Sequence, residues 1–310
     1  MSTLNLITVS DLDDPRLEPY RDQRDQWLRA RHRHWMEGRE APPGATATGM
    51  ADLPGIPGDL FMAEGVNVVR QLIRSPHQTL SALVSEPKVD VFRDVLSELP
   101  DGVPVFVAPR ARIDGLTGFQ VHRGLLACGA RVDAGDWRRV ASGAGLVVVL
   151  EDLANHDNVG GIFRSVRALA GPREGAEYPA AVLLSPRCCD PLYRKALRVS
   201  MGNALQVPFA AIPWIEGISG LVELGFVPIA LDPGDDHPEV AELATRFDGT
   251  VRPALVMGTE GPGLREQTIR KVRDQGGIVA RLAIEAEADS LNVGVAAAIA
   301  LRELGGRRPS

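Results

Sequence analysis

Arg164 lies six residues past Asn158 in the run Asn158-Val159-Gly160-Gly161-Ile162-Phe163-Arg164-Ser165. A guanidinium stays protonated, and its planar fork matches a phosphate in bidentate fashion. A polar stretch, residues 151–157, leads into this run. Asn158, Gly160 and Gly161 are expected to turn the chain sharply into a helix, since glycine permits positive φ and close backbone approach. A helix start there offers N–H donors to an anion. The chemistry on offer is phosphate capture, and the plainer alternative is a capped helix with a surface arginine.

Two later loops carry a different chemistry. Gly258-Thr259-Glu260-Gly261-Pro262-Gly263-Leu264 ends an apolar run. It lacks the GxxxxGK[ST] pattern of a phosphate loop and the GxGxxG of a dinucleotide site. Its glycines let backbone groups approach a flat ligand, and Glu260 supplies a carboxylate acceptor. An ordinary strand-to-helix turn is the alternative. Ser290-Leu291-Asn292-Val293 follows an acidic loop at 285–289. Ser290 or Asn292 is a natural helix cap. The helix after it, residues 293–301, is small and apolar almost all round, so it is expected to be buried. It suits either a core position or a helix–helix interface between subunits.

The elements that must position these loops follow from the apolar pattern. Runs at 146–150, 180–184, 205–209, 226–231, 254–257 and 278–284 read as strands, with helical segments between them. Near-continuous apolar strands imply burial on both faces, hence a largely parallel sheet in an α/β fold. Ligands bind at the carboxyl ends of such strands, where each of the three motifs falls. Upstream, a helix at 61–74, a strand at 79–84, a helix at 89–99, a strand at 103–108 and a short run at 125–128 suggest a smaller α/β module. Residues 129–143 read as a linker, and so does the Pro/Gly/Ala/Thr-rich stretch 41–57. Arginines crowd residues 21–39, among them Arg29, Arg31 and Arg33, with Trp27 and Trp35 interleaved. That segment reads as a basic helix, either a solvated helix docked by its tryptophans or an arm for phosphates.

Taken jointly and in this order, the three motifs resemble those of the SpoU/TrmH family of RNA ribose methyltransferases. The first corresponds to Asn158, Gly160 and Arg164. The second falls on Gly258, Glu260, Gly261, Gly263 and Leu264, and the third on Ser290 through Val293. A minor basic segment of the family matches Arg194, Lys195, Arg198, Ser200 and Gly202. One departure stands before the third motif, where the family's Ile-Pro-Met is Leu282-Ala283-Ile284.

The resemblance implies an α/β catalytic domain with a deep trefoil knot at 144–310. It implies an L30e-like RNA-binding module at 58–135, after an N-terminal basic helix and linker at 1–57. It implies S-adenosylmethionine as cofactor, held by Leu231, Gly258, Thr259, Gly261, Leu282 and Leu291. Arg164, Asn158, Glu260, Ser290 and Asn292 would form the catalytic set. Arg194, Arg198, Arg29, Arg31 and Arg33 would contact RNA, and the enzyme would be a homodimer. The expected activity is methylation of a ribose 2′-hydroxyl in structured RNA, ribosomal RNA before transfer RNA. A catalytically silent RNA-binding or ribosome-assembly factor of the same fold is the alternative.

Bulk properties permit this reading. The chain has 310 residues, enough for about two domains. Its net charge of -6 argues weakly against nucleic acid, but net charge averages over both faces. Three cysteines without metal-ligand spacing suggest a reduced, cytoplasmic protein with no zinc site. No apolar run is long enough to span a membrane, and the first residues lack a secretory pattern.

Overall fold

The computed structural model describes residues 4–21, 60–121, 123–132, 135–234, 236–247, 250–285, 288 and 290–305. Most of the basic segment, with Arg29, Arg31 and Arg33, and the 41–57 linker lie outside the described residues. Arg21, at the edge of that segment, pairs with Glu18 at 3.1 Å.

In chain order the first elements are β1 (Asn5–Thr8), β2 (Leu60–Glu64), α1 (Val66–Ile73), β3 (Gln78–Ser85), α2 (Arg93–Leu96), β4 (Pro104–Ala108), α3 (Arg110–Thr117) and β5 (Leu125–Ala130). Then come α4 (Trp137–Gly143), β6 (Ala144–Leu150), α5 (His156–Leu169), β7 (Tyr178–Leu184) and α6 (Arg194–Val199). The last are β8 (Phe209–Ala211), α7 (Glu216–Glu223), β9 (Phe226–Leu231), α8 (Val240–Arg246), β10 (Arg252–Met257), α9 (Glu266–Asp274), β11 (Ile278–Ala280) and α10 (Val293–Leu304). The chain forms two compact units. One is Met1–Asp133 with Asp190–Gln206, and the other is Ala134–Cys189 with Val207–Ser310.

In the first unit five strands form a mixed sheet in the order β1-β4-β3-β5-β2. Strand β3 runs parallel to β4 and antiparallel to β5. The core gathers Leu17, Tyr20, Met62, Leu83, Phe106 and Leu126. Tyr20 is fully buried, so its hydroxyl needs a partner, and it finds Ser81 Oγ at 2.8 Å. Two expectations are corrected here, and one strand is added. The helix expected at 61–74 opens as strand β2, every residue of which is buried, and turns helical only after Gly65 at φ 86°. The spacing of Met62 and Val66 fits either element, and pairing with β5 decides. The helix expected at 89–99 shrinks to the four residues of α2. Strand β1 carries no periodic signal because it is a short, mostly exposed edge strand.

In the second unit the sheet order is β11-β9-β10-β6-β7-β8, with every neighbouring pair parallel. Strand β6 is Ala-Gly-Leu-Val-Val-Val-Leu and is buried along its whole length. Each such valine stabilises the fold by about 1.5–3 kcal/mol on burial. The order runs outward from β6 through β7 and β8, then switches sides to β9, β10 and β11. Such a reversal opens a crevice at the carboxyl ends. Two strands lose part of their expected run: β8 begins only at Phe209, and β11 ends at Ala280. Residues 203–205, expected to be strand, form a 3-10 turn of the first unit. The supposed linker at 129–143 contains α4, whose Trp137, Val140 and Ala141 enter the core.

Candidate active site

Helix α5 starts earlier than the glycines suggested. Asn155 caps it, accepting from the Asp157 N–H at 2.9 Å. Asn158, Gly160 and Gly161 therefore sit inside the first turns of the helix rather than in a bend before it. Asn158 is buried. Arg164, two turns on, is exposed, and among the described residues it makes no hydrogen bond or ion pair. It lines a groove with Asn158, Gly161, Asn292, Val295 and Ile299.

The glycine loop after β10 folds back on itself. The Thr259 N–H donates to the Gly263 carbonyl at 3.2 Å. A Cβ at Gly258 would stand 2.2 Å from the Gly263 carbonyl, so no other residue fits there. Gly261 and Gly263 take φ of 98° and 68°, a conformation that favours glycine. The turn is anchored from below by Glu151, a buried carboxylate at the end of β6. It accepts from the Arg265 N–H at 3.2 Å and the Thr268 hydroxyl at 3.0 Å, and it pairs with the Arg265 guanidinium. Glu151 was read from sequence only as part of a polar loop. Its burial depends on α9 packing over it.

Asn292 is the N-cap of α10. Its Oδ1 accepts from the Gly294 N–H at 2.9 Å and the Val295 N–H at 3.2 Å. Its amide donates to Asn158 Oδ1 at 3.0 Å and to Glu260 Oε1. One side chain thus ties together all three sequence motifs.

The carboxyl ends of β9, β10 and β11 and the start of α10 enclose a cleft of about 270 Å³. Leu231, Gly258, Thr259, Gly261, Leu282 and Leu291, the six residues expected around a cofactor, all line it. So do Glu260, Ser290 and Asn292. Asp232 lines it as well and was missed. It stands one residue past a strand end, and that position was the available signal. Among the described residues the lining is largely apolar, holds two carboxylates, Asp232 and Glu260, and includes no lysine, arginine or histidine. A phosphate-bearing nucleotide would meet uncompensated negative charge there. A cationic nucleoside without phosphate suits the charge of this lining, and S-adenosylmethionine is such a molecule.

Helix α10 is not buried all round. Val293, Ala297, Ala300 and Leu301 face the core, whereas Val295 and Ile299 are 49% and 41% exposed. Residues Leu291, Val295 and Ile299 recur every fourth position and form an apolar stripe beside the Arg164 groove.

Arg194 and Arg198 belong to the first unit. Arg194 reaches Glu64, itself 1% exposed, at 3.0 Å and stacks over the Phe119 ring. Arg198 approaches the same carboxylate at 3.5 Å with a side chain 43% exposed.

Residues 145–302 match the model of the SpoU rRNA Methylase family. That match covers half of the chain. The chain belongs to the SpoU rRNA methylase family. An uncharacterised tRNA/rRNA methyltransferase of Mycobacterium tuberculosis is 34% identical to this member over 97% of the chain and 92% of the relative. Two solved structures share the fold. An AdoMet-bound rRNA methyltransferase from Sinorhizobium meliloti superposes with TM-score 0.66 at 20% identity, covering 97% of each chain. An RNA 2′-O ribose methyltransferase superposes with TM-score 0.66 at 22% identity, covering 96% of this chain and 97% of the other. The α/β fold is thus shared with both solved structures along nearly the whole chain.

Proposed function

We propose that this protein is an S-adenosylmethionine-dependent methyltransferase acting on a ribose 2′-hydroxyl of structured RNA, with ribosomal RNA favoured over transfer RNA. The observation that carries the reading is the placement of Asn292. It stands on the wall of the acidic cleft and also on the groove that presents Arg164. A methyl donor in the first and an RNA strand in the second would meet at Asn158 and Asn292.

S-adenosylmethionine supplies an electrophilic methyl group. The protein supplies position and charge. Leu231, Leu282 and Leu291 pack the nucleoside, while Gly258, Thr259 and Gly261 offer backbone groups to it. Glu260, with Ser290 beside it, places negative charge on the side of the cleft nearest Asn158. Arg164, unpaired among the described residues, clamps the phosphate next to the reacting ribose. Asn158 and Asn292 orient the hydroxyl. The residue set is complete, which favours turnover over a silent binding protein. The two solved relatives support the reading, one named for its bound AdoMet and the other for its 2′-O ribose activity.

The same reading carries the trefoil knot for 144–310 and the L30e-like role for 58–135. Arg29, Arg31, Arg33 and the exposed Arg198 contact RNA phosphates. Arg194, held by Glu64, serves chiefly to brace that surface. In a homodimer a second copy packs beside the exposed Val295 and Ile299, so that the Arg164 groove opens at the edge of the subunit interface.

Two measurements test this. Tritium transfer from labelled S-adenosylmethionine to bulk RNA should fall at least a hundredfold in Arg164→Ala while cofactor affinity stays within about twofold. Retained transfer removes Arg164 from its role. Mapping ribose methylations in RNA of a deletion strain should show the loss of one site. An unchanged map together with a silent cofactor titration would establish the non-catalytic binding protein instead.

A further inference from the structure

Asp232 belongs to none of the three motifs, yet it borders the cleft. It follows the last residue of β9, and its N–H donates to the Ala280 carbonyl of β11 at 2.9 Å. A short loop grips its carboxylate. Oδ1 accepts from the Gly234 N–H at 3.1 Å and lies 3.3 Å from His237 Nε2. The His237 N–H donates back to the Gly234 carbonyl at 3.3 Å. A Cβ on Gly234 would come within 2.9 Å of the His237 ring, so the turn is as tight as glycine allows.

The loop is in turn stapled to the next strand end. Arg281 Nε donates to the His237 carbonyl at 3.2 Å, and its guanidinium pairs with Glu239 at 3.0 Å. Its N–H donates to the Pro238 carbonyl at 3.0 Å. Leu282, the next residue, lines the cleft. The outcome is one fixed carboxylate at a strand end. Its second oxygen, Oδ2, has no hydrogen bond among the described residues, and the side chain is 24% exposed.

We infer that Asp232 accepts hydrogen bonds from the ribose hydroxyls of the methyl donor, with His237 as the positioning residue that aims it. This deepens the proposed function and rests on it. A carboxylate at the carboxyl end of a parallel strand is suited to a ribose diol, as in dinucleotide sites. In strand order Asp232 on β9 is separated by β10 from β6, which leads into Asn158. The reacting end belongs at Asn158, where Glu260 already offers a counter-charge. The nucleoside then extends toward β9.

Titration calorimetry on the full chain tests this with four ligands: S-adenosylhomocysteine, its 2′-deoxy and 3′-deoxy forms, and 5′-methylthioadenosine. Asp232→Asn should weaken S-adenosylhomocysteine and methylthioadenosine alike, by about ten- to a hundredfold. On the unaltered protein at least one deoxy form should show a comparable loss, and Asp232→Asn should add little to it. His237→Ala should repeat this ligand pattern with a smaller loss. If Asp232→Asn leaves methylthioadenosine unaffected, the carboxylate serves the amino-acid end and the inference is overturned. It is equally overturned if the unaltered protein binds both deoxy forms as tightly as the parent, a result independent of any variant's folding. No binding of S-adenosylhomocysteine at all would overturn the cofactor reading along with it.

Discussion

The side-chain amide of Asn292 donates to Asn158 Oδ1 at 3.0 Å, joining the cap of the last helix to the first turn of α5. The same residue satisfies two N–H groups at the start of α10. Its two ends therefore do different work. The oxygen serves the fold, and the nitrogen serves the site.

That division is separable by substitution. Asn292→Asp keeps the capping oxygen but replaces the donor with a second carboxylate facing Glu260. It should hold stability within about 1 kcal/mol of the parent while abolishing methyl transfer. Asn292→Ala removes the cap too and should cost about 0.5–2 kcal/mol. Paired urea melts and transfer assays check this. Equal stability loss in both variants would contradict the division.

Glu151 bears on the glycine loop from beneath. Glu151→Ala would leave the Arg265 N–H and the Thr268 hydroxyl without their acceptor in a buried place. The expected cost is about 3 kcal/mol, with weaker cofactor binding because Gly258–Leu264 loses its anchor. Denaturant unfolding and calorimetry measure the two effects. A loss of stability with cofactor affinity unchanged would show that the loop holds itself.

In the first unit, Glu64 is a buried charge answered by Arg194. Glu64→Ala strands the guanidinium and should destabilise by about 3–5 kcal/mol. Adding Arg194→Met should restore much of that, since the unpaired charge is gone and Phe119 still has an apolar neighbour. A double-mutant cycle of urea midpoints decides, and additive losses would mean the pair is not coupled.

His77 should make the protein acid-sensitive. Burial, reinforced by Arg131 and opposed by Asp190, pushes its imidazole down to about 4. An unfolded histidine titrates near about 6.5. Above that pH both states are neutral. Between 6.5 and 4 only the unfolded chain takes up the proton, so stability falls as pH falls through that window and levels off below it. The drop should be about 3 kcal/mol, and His77→Gln should flatten it. Unfolding midpoints from pH 7 to pH 4 give the slope.

Much of the site was legible along the chain, because its parts are local. A glycine loop, a cap sequence and an arginine at fixed spacing from an asparagine each lie within a few residues. Their place at strand ends followed from the apolar runs that precede them. The parallel sheet was legible for the same reason, since a strand such as Ala144–Leu150 has no polar face to show water. Less local features were not legible. Strand β2 looked helical until its pairing with β5 settled it, and α10 looked fully buried until Val295 and Ile299 emerged on its outer side.

The sequence by itself determined which residue types could hold a methyl donor and grip a phosphate. Only the tertiary structure decided which of them meet. Asn292 and Asn158 stand 134 residues apart, and no periodicity measures that separation. Their contact exists because α10, which follows the edge strand β11, packs back across the end of β10 onto α5 and sets the two helix starts side by side. Glu64 and Arg194 show the converse. A basic motif that reads as a phosphate contact finds an internal partner 130 residues away, because a buried carboxylate must be neutralised where the fold leaves it.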